Sequence, residues 1–127
     1  MIRQQFCVKS YWEVIVYYNL NYNLFSIIYK ELRNLGFSEK SIDSLYRTMS
    51  KGKAKAVTCS SIRKHKSIIL FNPHNNIKDY IDSVVHEAEH VKQAMLKAYH
   101  VEDMGEPPAY TIGYLVGRIW ETFKQFL

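Results

Sequence analysis

Residues 86–90 read His86-Glu87-Ala88-Glu89-His90, the spacing HExxH. Residues four apart share one face of an α-helix, so imidazoles at 86 and 90 can point at one ion. Neutral imidazole suits zinc, with bonds of about 2.0–2.1 Å. Glu87 lies about 100° around such a helix from His86. It can reach a water on the ion without ligating the metal. There it can act as general base while zinc lowers the pKa of that water towards ~7.

Two histidines leave a catalytic zinc one protein ligand short, with a further position kept open for water. The carboxylates downstream are Glu102, Asp103, Glu106 and Glu121. Glu121 falls too far along the chain, and His100 falls at the end of the histidine helix. Glu106 is the leading candidate, with Glu102 second and Asp103 third. It opens the last helix, after a connection short enough to fold it back over the histidine face. At a helix start its carboxylate is also favoured by the dipole. Tyr110, one turn on, would project the same way, and its hydroxyl could stabilise an oxyanion.

The elements that must position these residues follow from periodicity. Tyr11–Tyr18 is aromatic and β-branched, which suits a strand. Leu24, Phe25, Ile27, Ile28, Leu32 and Leu35 recur at helical spacing, with Asn23 as N-cap and Gly36 as stop. A second helix starts at Ser38, turns Ile42, Leu45, Tyr46 and Met49 inward, and ends near Gly52. Two β-like runs follow, Ala54–Ser60 and Ser67–Phe71, joined by a polar link. Asn75 and Asn76 cap a long helix from Ile77 to Tyr99. Its apolar stripe is Ile77, Tyr80, Ile81, Val84, Ala88, Val91, Met95 and Ala98. His86 and His90 fall on the opposite side with Asp79, Ser83 and Lys97. After a polar loop, Pro107 and Pro108 start a last helix that runs almost to Leu127. In that helix Ala109, Gly113 and Gly117 form a strip of small residues, which predicts close packing, with the histidine helix near Ala94 as neighbour. The order β-α-α-β-β-α-α predicts an α+β domain with a small sheet.

With this helix and this downstream glutamate, the chain resembles the zincin metallopeptidases, and within them the gluzincin arrangement. The matching residues are His86, Glu87, His90 and Glu106. The stretch His86–Leu115 is also similar to small HExxH proteins of tailed phages and prophages, which follow the histidine helix with Glu-Pro-x-Ala-Tyr, here Glu106–Tyr110. The resemblance covers roughly residues 54–120. It implies a minimal zincin-like domain: a small sheet packed with helices, the HExxH helix, then a covering C-terminal helix. It also implies a zinc cofactor, a peptide or protein substrate, and the host cytoplasm if the chain is phage-encoded. Ser67–Phe71 would then be the edge strand that aligns substrate by strand addition. The chain departs from the zincin pattern at Glu89 and Lys92, which are charged, and no separate lower domain is expected within its 127 residues.

The totals set the alternatives. The chain has 127 residues, ten of them tyrosine, is 47% hydrophobic, and carries a formal net charge of +5. That is one domain's length, with enough apolar residues for a core. Cys7 and Cys59 are too few for a disulfide framework and are expected reduced and mostly buried. The longest uncharged run, Val14–Tyr29, contains three asparagines and is too short and too polar to span a membrane. Arg3 and Lys9 are followed by Glu13 and by no small-residue cleavage site, so no signal peptide is expected. The chain is therefore expected in the cytoplasm. The positive charge is local: residues 47–78 hold eight basic residues and no acid, while residues 79–127 hold eight acids against four basic residues. The first reading is thus a zinc-dependent metallopeptidase. A second is a zincin-fold interaction or virion-associated protein with a structural metal. The third is a nucleic-acid-associated protein using segment 47–78. The sequence does not determine the oligomeric state.

Overall fold

The computed structural model describes residues 1–126; Leu127 lies outside the described residues. The strands are β1 (Ile2–Val8), β2 (Trp12–Tyr18), β3 (Ala56–Ser61) and β4 (Lys66–Phe71). The helices are α1 (Phe25–Leu35), α2 (Glu39–Ser50), α3 (Ile77–Ala98) and α4 (Glu106–Phe123). Two 3₁₀ turns, Tyr22–Leu24 and Lys124–Phe126, precede α1 and follow α4. The chain is an α+β fold built on one mixed sheet of order β1-β2-β4-β3. β1 and β2 form an antiparallel hairpin, β2 and β4 run parallel, and β3 pairs antiparallel with β4. A parallel pair needs a long crossover, and α1, α2 and β3 supply it.

β2 and β4 occupy the centre because they are apolar on both faces. Val14, Val16, Tyr18, Ile69 and Phe71 pack under α3 and α4. Their alternate neighbours Ile15, Tyr17, Ile68 and Leu70 pack under α1 and α2. The sheet is therefore covered on both sides. This corrects the expectation that Ser67–Phe71 edges the sheet: β3 does. β3 has partly polar side chains on both faces and pairs on one side only. β1 was not expected from the sequence. Arg3, Gln4 and Gln5 mask an alternation in which only Phe6 and Val8 are buried.

Local signals set most helix ends. Ser38 Oγ accepts from the Ser41 amide at 3.1 Å, and Asn76 Oδ1 from the Asp79 amide at 2.9 Å, as N-caps do. Asn23 does not cap α1. Asn21 accepts from the Asn23 amide instead and starts the 3₁₀ turn that leads into it. His100, at φ 55°, ends α3 in the left-handed region, with the Val101 amide bonded to the Leu96 carbonyl at 2.9 Å. Pro107 and Pro108 sit in the first turn of α4. No helix among the described residues is long and apolar enough to cross a membrane.

α4 lies beside α3 and over β1. Tyr114 donates to the Cys7 carbonyl at 3.1 Å, and Gln4 to the Arg118 carbonyl at 2.7 Å. Leu115, Ile119 and Phe123 enter the core. The strip Ala109, Gly113 and Gly117 faces outward, and a Cβ added at either glycine would meet nothing within 4 Å. The expected packing of this strip near Ala94 is not found. The helix instead uses its broad apolar side, which left no need for a close backbone approach.

Candidate metal centre

α3 carries the site. Tyr80, Val84, Ala88, Val91 and Met95 bury one side of it, as the periodicity predicts, whereas Ile77 and Ile81 are exposed. His86 and His90 lie outside the buried stripe and are solvent-accessible. Their Nε2 atoms stand 3.2 Å apart. Two nitrogens bound to one tetrahedral ion at about 2.0–2.1 Å lie roughly 3.3–3.4 Å apart. The pair is thus spaced for two positions on one metal.

Glu87 is turned a quarter-circle from the pair, towards the sheet, and is only 5% exposed. Its Oε1 accepts from Thr58 Oγ1 on β3 at 2.9 Å. A buried carboxylate without a donor is costly, and Thr58 supplies one. Behind it lies Cys59, whose thiol is pushed up to about 12 by burial and by the Glu87 charge. That thiol stays protonated. Cys7 is exposed and Cys59 buried, which corrects the expectation that both are mostly buried.

The groove between α3 and the edge strand β3 has two lobes that share Ala56, His86 and Glu87. One, of about 350 Å³, is completed by Val57, Thr58, Ser60, His90 and Ala94. The other, of about 320 Å³, is completed by Lys55, Asp79, Asp82 and Ser83. Lys55 pairs with Asp79 at 3.3 Å and holds its carboxyl below the usual range.

Two serines give the groove a direction, and neither was singled out in the sequence for chemistry. Trp12 Nε1 donates to the buried Ser67 Oγ at 2.9 Å, and Ser67 lies 2.7 Å from Ser60 Oγ. Ser67 can place its own hydrogen only on Ser60, because no other acceptor meets it among the described residues. The Ser60 hydrogen is then available to the groove. Behind Ser83 of the other lobe, His74 Nδ1 lies 2.6 Å from the Asn72 carbonyl, which can only accept. Nδ1 therefore carries the proton, and Nε2 accepts from Ser83 Oγ at 2.8 Å. Burial holds the His74 imidazole below its usual value. Ser83 thus offers lone pairs to one lobe while Ser60 offers a hydrogen to the other. The signal for both was non-local, since each serine depends on a partner in another element.

The remaining expected residues lie elsewhere. The described residues include no group of three His, Cys, Asp or Glu side chains placed to hold a metal. Glu106 is therefore not brought to the histidine pair; it is the exposed first residue of α4. Glu102 is exposed in the connection before it. Asp103 is bonded to Lys92 at 2.9 Å, and Lys92 also pairs with Glu89 at 2.8 Å. The two charged departures from the zincin pattern thus tie the α3–α4 connection to the flank of α3. Tyr110, 72% exposed, lines a different groove with Val8, Tyr11, Met95 and Tyr114. α4 does not cover the histidine face, because its apolar side is drawn to β1 and the core flank of α3. Compared with protein-family models, with curated proteins and with solved structures, the chain matches none.

Proposed function

We propose that the chain is a zinc-dependent hydrolase of peptide bonds, with His86 and His90 as two of its metal ligands. The observation that carries this reading is the 3.2 Å approach of the two Nε2 atoms beside the buried, Thr58-held Glu87. A bound zinc would supply Lewis acidity and a water of lowered pKa. Glu87 takes the proton from the attacking water and passes it to the departing amine. β3 offers an unpaired strand edge to an extended peptide. Ser60 donates to a substrate carbonyl in one lobe, and Ser83 accepts from a substrate N–H in the other. Glu106 is the proposed third ligand.

The test is metal content together with cleavage. The protein purified without chelator is expected to hold one zinc, and His86→Ala and His90→Ala are each expected to lose it. The wild type is expected to cleave a broad peptide library. Stoichiometric zinc without cleavage would leave a metal-holding interaction protein, and a chain that never binds zinc would sink the reading altogether. Glu106→Gln tests the third ligand, with weaker zinc retention expected.

A further inference from the structure

The basic segment 47–78 does not act as one patch once folded. Lys55, Lys66 and Lys78 pair with Asp79, Glu13 and Asp82 at 3.3, 3.6 and 3.5 Å. Lys64 donates to the carbonyl of Asn34 at the end of α1. Of the four cations left, Arg47, Lys51 and Lys53 are gathered in one place.

The turn that ends α2 gathers them. Gly52 takes φ 69°. The Gly52 and Lys53 amides donate back to the Met49 and Thr48 carbonyls at 3.0 and 3.1 Å. This is the Schellman pattern, which needs a left-handed residue at the position Gly52 fills. It folds Lys53 against the last turn of the helix. Arg47, Lys51 and Lys53 then line, with Ser44 and Thr48, a concavity of about 200 Å³. Among the described residues no acid pairs with any of the three.

A cation near a helix C-terminus is favoured by the dipole, and that suffices for one. It does not account for three. The terminal carbonyls are already bonded: Arg47 O by the Lys51 amide, Thr48 O by the Lys53 amide, and Met49 O by the Gly52 amide and by Asn72 Nδ2. The three exposed cations therefore line one concavity with no acid beside them among the described residues. A tetrahedral oxyanion is the complementary ligand. Arg and Lys donors match its oxygens, and bonds between charged partners are about twice as strong as neutral ones.

We propose that this groove, on the α1–α2 side of the sheet and away from the histidines, binds a phosphate group. The group is either a free phosphate or phosphomonoester, or the backbone of a single-stranded nucleic acid. The test titrates the full chain at low salt with inorganic phosphate and with oligothymidine. The triple variant Arg47→Gln, Lys51→Gln, Lys53→Gln is expected to bind phosphate about tenfold more weakly or worse. The triple variant Lys9→Gln, Lys30→Gln, Lys97→Gln removes the same charge elsewhere and is expected to bind as the wild type does. The single variants Lys51→Gln and Lys53→Gln are expected to show graded losses, and they serve if the triple variant misfolds. Oligothymidine that binds more tightly than phosphate, with a log–log salt slope that the groove variant lowers by about 2, assigns the site to a nucleic-acid backbone. Oligothymidine that binds no more tightly assigns it to free phosphate. Binding of neither probe, or equal losses in both triple variants, overturns the proposal.

Discussion

Among the described residues, two grooves along the α3–α4 layer differ in kind. The groove beside α4 is the larger, about 850 Å³, and is lined by Val8, Tyr11, Met95, Pro107, Tyr110 and Tyr114 among others. The lobes beside β3 are each less than half that volume. Yet the smaller space contains the convergent histidines, the buried carboxylate and two oriented hydroxyls. Size alone would choose the groove with fewer polar groups. Reaction needs polar groups that are aimed and held, and those come from α3 facing an edge strand. α4 faces β1 with mostly apolar and aromatic side chains.

Mutations in the two grooves should separate them sharply. Glu87→Gln keeps the shape of the site and removes its base, so peptide cleavage should fall by about 10²–10⁴-fold while zinc content holds. Tyr110→Phe, in the other groove, should leave cleavage unchanged. A large loss from Tyr110→Phe with no loss from Glu87→Gln would reverse the comparison. Next in size is Thr58→Val. Losing the donor to Glu87 should lower kcat by about tenfold or more, and Thr58→Ser should restore most of it. A merely structural threonine would tolerate valine and gain nothing from serine.

The α4 side makes a prediction of stability. Gly113 and Gly117 have open space at Cβ, and glycine within a helix costs about 0.5–1 kcal/mol relative to alanine. Gly113→Ala and Gly117→Ala should each stabilise the protein by about that amount, read as a higher Tm. A lower Tm would show that the strip is covered after all.

The smallest effect concerns pH. Burial lowers the folded-state pKa of His74 below its ordinary 6.5. The unfolded chain then takes up a proton that the folded chain resists. The stabilisation is therefore present above pH 6.5 and is lost as pH falls from there through the folded-state value. Thermal melts should show this decline in the wild type and a shallower one in His74→Gln. The same slope in both would show that the Ser83–His74–Asn72 chain is not held as described.

Much of the fold could be read from short-range pattern. The extents of α2, α3 and α4, the capping roles of Ser38 and Asn76, and the placement of His86 and His90 off the core stripe all follow from 3.6-residue periodicity and cap chemistry. So does the pairing of Glu87 with the histidines in one turn. What failed was non-local. β1 was hidden because half of its positions are polar, and a hairpin strand is recognised by its partner as much as by itself. β4 was expected at the edge and lies inside the sheet, because a buried strand and an edge strand differ in what lies beside them. Glu106 could be matched by order along the chain, but reaching an ion depends on where α4 packs.

Taken alone, the sequence determined every strand and α-helix except β1, and the histidine spacing, because each depends on residues a few positions apart; the sum of charges is composition alone. Tertiary structure alone decided the rest. It put Thr58 behind Glu87 and ran the hydrogen-bond chain from Trp12 through Ser67 to Ser60. It tied Asp103 to Lys92, and it left Arg47, Lys51 and Lys53 without acids. These are meetings of residues far apart in the chain, set by which faces the sheet must bury.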